Sequence, residues 1–184
     1  MSVADYDALS PVLDLGHQST MTFLRNEPYL ARVHVAAITD AETLNVLPHW
    51  HDKYDELFRV IKGRLRVRIG DVTRDYTAED GEILIPRGTI HSLHGFKGEE
   101  TIFEERTDPM DGEKELFFRN LLEDGKTPTS LLQVLVVGYQ GDMYIPLPGH
   151  IKWLEKAFVI IFGGYIAPLF GYKNRYSSYK VKGV

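Results

Sequence analysis

The chain contains no cysteine among its 184 residues. Disulfide bonds, cysteine-rich zinc sites and thiol nucleophiles are therefore excluded, and the composition suits a reducing cytoplasm, which is the compartment we expect. Positive charge is also in short supply, because 26 acidic residues outnumber 21 lysines and arginines and leave a net charge of −5. Nucleic-acid-binding surfaces are normally basic, so we expect no nucleic-acid partner.

Long apolar runs are missing as well, apart from one segment near the C-terminus. Residues 157–172 are apolar, but they fall short of the roughly 20 residues of a spanning helix and include three glycines and a proline. We interpret this segment as a helix packed over the rest of the protein, with contact to a membrane surface as the alternative. The first ten residues lack the basic start and apolar core of a secretory signal.

Short apolar stretches bounded by turn residues fill the middle of the chain. In residues 64–69, leucine, valine and isoleucine alternate with three arginines. This alternation predicts a strand with an apolar inner face and a solvated outer face. Many such strands at close intervals are typical of a sandwich or barrel, which also protects the strand edges.

The pattern becomes helical after Pro109, with predicted helices over 113–122, 131–137 and 150–162. Residues 1–18 are acidic and are broken by a proline and a glycine, which favours a loose arm or loop. We therefore predict a single domain that consists of an N-terminal arm (1–18), a barrel (19–108) and a helical C-terminal cover (109–184).

Four side chains stand out as candidate metal ligands. His49 and His51 are two residues apart, so they share one face of an extended strand. Glu56 opens the next apolar run, and His91 follows a tight turn at residues 86–88. A single histidine is more often structural, but neighbouring barrel strands would bring these four to one interior point. Imidazole and carboxylate groups together suit a transition-metal ion.

These residues also carry a resemblance to a known family. The segment 49–63 is similar to the first motif of the cupin superfamily, through His49, His51, Glu56 and Gly63. The segment 81–91 is similar to the second motif, through Gly81, Pro86, Gly88 and His91. The chain departs from the family pattern at Thr43, at Gly95 and in the spacing after Gly81, but none of these positions is a ligand.

The resemblance implies a mainly β fold, the cupin double-stranded β-helix or jelly-roll barrel, here with a C-terminal helical extension. It also implies one divalent transition metal on His49, His51, Glu56 and His91, with Fe favoured and Mn, Ni, Cu or Zn as alternatives. A homodimer is a further expectation from the family.

Several functions are open to such a site. We expect a metal-dependent enzyme that acts on a small organic molecule by an oxygenase-type reaction, with Glu56 as both ligand and catalytic proton shuttle. A non-redox isomerase, decarboxylase or cyclase is the first alternative, in which the ion acts as a Lewis acid. A non-catalytic, small-molecule-binding cupin is the second.

Three further residues are candidates for substrate binding. Tyr54 lies in the loop between His51 and Glu56, where it would line the rim of the site. Arg87 precedes His91 and would meet an anionic substrate at the mouth of the barrel. His94 follows His91 by three residues, so strand alternation places it on the opposite face unless a bulge intervenes.

Overall fold

The computed structural model describes residues 4–5, 8–39, 44–122, 128–176 and 179–180. The strands are β1 (Ala4–Asp5), β2 (Val12–Gly16), β3 (Ser19–Phe23), β4 (Ala31–Val35), β5 (Asn45–His49), β6 (Asp55–Lys62), β7 (Arg64–Ile69), β8 (Val72–Thr77), β9 (Glu82–Ile85), β10 (His91–His94), β11 (Thr101–Asp108) and β12 (Tyr179–Lys180). The helices are α1 (Lys114–Leu121), α2 (Leu131–Gly141), α3 (Lys152–Phe158), a π-helical segment (Val159–Ile166) and α4 (Ala167–Leu169).

Two antiparallel sheets form the body of the fold. The larger sheet has six strands in the order β2-β3-β4-β11-β6-β9, and the smaller has four in the order β5-β10-β7-β8. Strands β1 and β12 make a separate parallel pair. The predicted jelly-roll fold class with a C-terminal helical extension is confirmed. No backbone hydrogen-bond ladder joins the described strands of the two sheets, so the barrel is a pair of facing sheets rather than a closed ring.

The hydrophobic core lies between the two sheets. Phe58 and Phe103 come from the larger sheet, and they meet Leu65, Val67 and Leu93 of the smaller sheet, all at most 3% exposed. Burial of side chains of this size stabilises the fold by about 1.5–3 kcal/mol each. The alternation predicted for residues 64–69 is therefore confirmed.

The N-terminal arm of the sequence prediction is partly wrong. Residues 12–16 form an edge strand of the larger sheet, paired with β3 from Val12↔Thr22 to Gly16↔Ser19. The break signals at Pro11 and Gly16 mark the two ends of this short strand rather than a loop. The described residues do not include positions 1–3 and 6–7 of the predicted arm. They also do not include Thr43.

The helical cover is longer than the sequence predicted. Helix α2 continues through Gly138 to Gly141, because this glycine serves close packing rather than helix termination. A Cβ on Gly138 would lie 2.7 Å from the Met143 carbonyl oxygen. The predicted third helix starts two residues later, at Lys152, and its helical path runs on through the π-helical segment to Leu169.

Close packing also explains the glycines of the apolar segment 157–172. A Cβ on Gly163 would lie 2.1 Å from the Leu135 carbonyl oxygen, so the π-helical segment approaches α2 backbone to backbone. The segment thus covers the rest of the protein, as predicted. Among the helices of the described chain, none is long and apolar enough to cross a membrane.

Candidate metal centre

The two sheets bring the four candidate ligands to one end of the space between them. His49 ends β5 and lies directly opposite His91, the first residue of β10. Glu56 comes from β6 in the other sheet, where it is paired with Ile85 and Thr107. His51 follows β5, just beyond an isolated bridge between Trp50 and Tyr144.

The ligand atoms of His49, His51, Glu56 and His91 all lie within 4.8 Å of one another. Three of the side chains are almost fully buried, with His51 at 2%, Glu56 at 8% and His91 at 1% exposure. His49 is half-buried as a residue. The group predicted from the sequence spacing is therefore assembled in the fold, and it could bind a metal ion.

Main-chain carbonyls fix the orientation of all three imidazole rings. The Nδ1 atoms of His49, His51 and His91 lie 2.9, 2.6 and 2.9 Å from the carbonyl oxygens of Leu47, Asp142 and Thr89. A carbonyl accepts only, so each Nδ1 carries the proton and donates it. In the neutral ring each Nε2 is then a lone pair that points into the cluster, as metal ligation requires.

The centre of the cluster holds acceptors without a donor. Nε2 of His51 lies 3.0 Å from Glu56 Oε1, and Nε2 of His91 lies 2.9 Å from Glu56 Oε2. Neither buried Nε2 atom has a hydrogen-bond partner of proper geometry, despite these short distances. Buried polar atoms are rarely left unsatisfied. A cation between them would satisfy all four groups, so the residues present fit a transition-metal ion.

The pKa values follow from the same arrangement. Burial lowers the pKa of His49 well below its usual range, with further lowering by His91 and His51, and burial together with Lys114 lowers the pKa of His51. Burial alone would raise the pKa of Glu56, but the two neighbouring histidines outweigh it and hold that pKa well below its usual range. Burial disfavours the charged form of His91 as well, but hydrogen bonding to Glu56 and the charge of Glu56 outweigh it and raise the pKa of His91. A metal ion needs neutral imidazoles, so its binding would compete with a proton on His91.

The turn before β10 locks the ligand-bearing segments together. Gly88 adopts a φ of 74°, a conformation that favours glycine, and its amide donates to the His51 carbonyl at 2.6 Å. Arg87 binds Asp55, the residue before Glu56, through its Nε atom at 3.0 Å from Oδ1. One turn therefore holds the positions of three of the four ligands.

Of the three predicted substrate-binding residues, Tyr54 lies nearest to the cluster. Its ring centroid is 5.4 Å from that of His51, and its buried hydroxyl donates to the Gly141 carbonyl at 2.7 Å. Arg87 is exposed and is already paired with Asp55. His94 lies on the opposite face of β10 from His91, next to Ser92 at 3.3 Å, and it is not part of the cluster.

Two ionisable residues near the site were missed by the sequence analysis. Glu105 lies on β11, two residues before Thr107, which faces Glu56, and it shares the inward face of that strand with Phe103. Burial and the charge of Glu56 raise its pKa to about 8. Lys114 is buried at the start of α1, and its charge acts on both His51 and Glu56. No spacing signal in the sequence distinguishes either residue from a surface charge.

Comparison with known proteins gives moderate sequence similarity to fungal proteins. No family model matches the chain. It is 30% identical over 148 residues to the probable oxidoreductase patJ of Penicillium expansum, covering 72% of this chain and 45% of that protein. It is 31% identical over 148 residues to the probable oxidoreductase yanE of Aspergillus niger, covering 70% and 56%. The chain spans about half the length of the curated relatives it matches.

Solved structures with partial likeness include KdgF from Halomonas sp., at 17% identity and a TM-score of 0.39, covering 51% of this chain and 82% of that one. A double-stranded β-helix protein from Klebsiella pneumoniae has 16% identity and a TM-score of 0.41, covering 55% and 86%. The resemblance to the cupin superfamily rests instead on the chain itself, on its two motifs, its two facing antiparallel sheets and its four converging side chains.

Proposed function

We propose that the chain is a metal-dependent oxidoreductase that acts on a small organic molecule by an oxygenase-type reaction. The observation that carries this proposal is the cluster of His49, His51, Glu56 and His91, whose inward-facing atoms are all acceptors. The relatives that match over most of this chain are named probable oxidoreductases, which supports an oxidation–reduction reaction.

The reaction class needs no reductant other than the substrate. In a dioxygenation, both atoms of one O2 molecule enter the organic product, and the substrate supplies the electrons. An iron ion bound by the four ligands would supply open coordination positions and one-electron chemistry. Fe is the ion that we favour for this reason, although the same ligands suit Mn, Ni, Cu or Zn.

The protein groups have separate tasks around this ion. The carbonyls of Leu47, Asp142 and Thr89 hold the imidazole rings in their ligating orientation. Glu56 is a ligand whose negative charge offsets that of the cation. Glu105, whose carboxyl group makes no hydrogen bond with a described residue, is a better candidate than Glu56 for moving a proton, because its pKa near 8 keeps it protonated at neutral pH.

The alternative is a non-redox isomerase, decarboxylase or cyclase. The proximity of Glu105 and Lys114 to the cluster favours this second candidate, because each group titrates near pH 8 and proton transfer is the main step of such reactions. The ion would then polarise a substrate oxygen.

Metal content and oxygen dependence test the proposal in that order. We expect about one transition-metal ion per chain in the purified protein, and close to none in His51→Ala and Glu56→Ala, by plasma mass spectrometry. Equal metal in wild type and both variants would refute the metal centre. With Fe(II)-loaded protein and a panel of small phenols, enols and hydroxy acids, O2 uptake must match product formation. Turnover that persists without O2 would instead support the non-redox alternative.

The quaternary structure stays a proposal drawn from the family resemblance. We propose a homodimer, which light scattering at micromolar concentration would show as twice the 21.0 kDa mass of one chain. A measured mass of one chain under those conditions would contradict the homodimer proposal.

A further inference from the structure

A cavity of about 260 Å³ lies beside the metal centre, between the loop after β5 and the helices α1 and α2. None of the four candidate ligands lines it. Pockets for drug-sized ligands usually measure about 300–1,000 Å³, so this cavity suits a smaller molecule. It is a site distinct from the cluster and is separated from it by Tyr54, whose ring faces His51.

The most unusual residue of this cavity is Lys114. Its side chain is 2% exposed, and its ammonium group donates to the Gly141 carbonyl at 3.0 Å. The Nζ atom lies 4.4 Å from the ring centroids of both Tyr54 and Phe117. Among the described residues, no carboxylate lies within 4.0 Å of it, so two of its three N–H donors have no hydrogen-bond partner there.

A buried ammonium without a contacting anion is costly. Removing one partner of a buried ion pair is strongly destabilising, because the remaining charge has no contacting counter-ion. Burial lowers the pKa of Lys114 to about 8, partly opposed by the charges of Glu56, Asp142, Glu105 and Asp111, and the group is still mainly protonated at neutral pH. None of these carboxylates contacts the ammonium group, so an anion in the cavity would supply the acceptors that its free N–H donors lack.

Two buried oxygen atoms on residues that line the cavity have no donor among the described residues. Asp142 Oδ2 accepts from the amides of Asp52 and Lys53 at 2.9 and 2.8 Å, but Asp142 Oδ1 has no partner. Burial, the charge of Asp142 and hydrogen bonding to its carboxylate raise the pKa of Tyr144, but the Tyr144 hydroxyl makes no hydrogen bond of full geometry to Oδ1.

Asn174 is arranged in the same way. Its Nδ2 atom donates to Gln140 Oε1 at 2.6 Å, while its buried Oδ1 atom has no partner. The cavity therefore combines unused donors on one side chain with unused acceptors on two others. Leu116, Phe117 and Val137 add apolar wall between them.

We propose that this cavity binds a small organic monoanion that carries a hydroxyl group, that is, a hydroxycarboxylic acid. Its carboxylate would bind Lys114, its hydroxyl would donate to Asp142 or Asn174, and its carbon skeleton would pack on the apolar wall. The acidic residues Asp111 and Glu113 also line the cavity, which disfavours anions of higher charge.

The site is coupled to the metal centre through Asp142. The carbonyl of this residue accepts the His51 Nδ1–H bond at 2.6 Å, so one residue orients a metal ligand and lines the cavity. The proposal itself goes beyond the proposed function, since it requires no metal in the cluster.

Three matched probes test the proposal on the metal-free, full-length chain by isothermal titration calorimetry. We expect 4-hydroxybenzoate to bind, because it has both the carboxylate and the hydroxyl. Benzoate lacks the hydroxyl donor, and 4-hydroxybenzamide lacks the charge, so we expect each to bind at least about tenfold more weakly. Equal affinity for 4-hydroxybenzoate and 4-hydroxybenzamide, or no binding of 4-hydroxybenzoate up to about 10 mM, would overturn the proposal.

Substitutions then assign the binding to Lys114. Lys114→Met keeps the length of the side chain and removes the charge, so we expect at least a tenfold loss of affinity for 4-hydroxybenzoate and little change for 4-hydroxybenzamide. Lys97→Met, at an exposed lysine away from the cavity, is the matched control and should leave affinity unchanged. Equal losses in both variants, or binding of 4-hydroxybenzoate only after metal loading, would refute the site.

Discussion

Two buried carboxylates, those of Glu155 and Glu56, lie on either side of the segment 49–51, and they differ in the hydrogen-bond donors that surround them. Glu155, on the side of Trp50, is 0% exposed and accepts from Trp50 Nε1 at 2.7 Å and from the Leu147 amide at 2.8 Å. Glu56, on the side of His51, is also buried but faces two imidazole lone pairs. Protein groups donate hydrogen bonds to the Glu155 carboxylate. The Glu56 carboxylate receives no hydrogen bond of proper geometry from the two imidazoles beside it.

The difference separates a structural anchor from a binding site. Glu155 attaches α3 to the ligand-bearing segment, because its partner Trp50 lies between His49 and His51. A buried carboxylate that accepts from both Trp50 and the Leu147 amide is satisfied and needs nothing more. The carboxylate of Glu56 lacks such donors and gains its partner only when a cation binds. Metal removal and the substitution of Trp50 each disturb one of these two regions and leave the other in place.

The largest effect should follow metal removal. A ligand at about 1,000 times its dissociation constant adds about 4 kcal/mol to the free energy of unfolding. We therefore expect chelation with EDTA to lower the urea midpoint of the wild-type protein by a corresponding amount, measured by circular dichroism. The midpoint of Glu56→Ala should not respond to EDTA, because that variant lacks the site.

Glu155→Gln is the matched control for that measurement. The variant changes the second buried carboxylate, so we expect lower stability but the same EDTA-dependent difference as in wild type. If chelation leaves the wild-type midpoint in place, the cluster holds no stabilising ion. If it shifts Glu56→Ala as strongly as wild type, the ion binds elsewhere.

A smaller effect is expected from Trp50→Phe. The substitution removes the Nε1–H donor and part of the buried ring, and it should cost about 2–3 kcal/mol in the free energy of unfolding. Metal content per folded chain should stay at the wild-type value, since the Trp50 side chain contacts Glu155 rather than the cluster. Loss of metal together with stability would show that the two regions are not separable.

The metal cluster could be predicted from sequence because its ligands lie on short local patterns. His49 and His51 share a face by strand alternation, and a turn with Gly88 delivers His91. The partners of these ligands could not be predicted. Asp142 and Glu155 reach the same segment from 91 and 105 residues away, and only the packing of the helical cover determines those contacts.

The sequence also could not predict which of two neighbouring glutamates on β11, Glu104 or Glu105, faces the interior. Glu104 faces outward and is 0% exposed beneath Arg32 and Arg59, whose Nε atoms lie 2.8 and 2.6 Å from its carboxylate oxygens. Glu105 faces inward with no such partner. In a run of charged residues, alternation alone does not indicate which face is inner. The register between β11 and β6 decides it, and that register is a tertiary property.

The smallest predicted effect distinguishes these two glutamates by pH. Burial and the charge of Glu56 raise the pKa of Glu105 from 4.5 to about 8, partly opposed by Lys114. Between these pH values the folded chain holds a proton that the unfolded chain has lost, so this group lowers stability as pH rises. Glu105→Gln cannot ionise and should escape that decline. Allowing for partial exposure, we expect its stability relative to wild type to increase by about 2 kcal/mol from pH 5 to pH 8.

Urea unfolding of metal-free protein at both pH values measures this difference, because a bound cation would itself favour the ionised form of Glu105. Lys114 acts in the opposite sense, but only above pH 8, since burial lowers its pKa from 10.5 to about 8. Glu104→Gln breaks two ion pairs and is expected to destabilise the protein at both pH values. A stability difference for Glu105→Gln that stays constant between pH 5 and pH 8 would mean that Glu105 is ionised beside Glu56, which removes it as a proton donor.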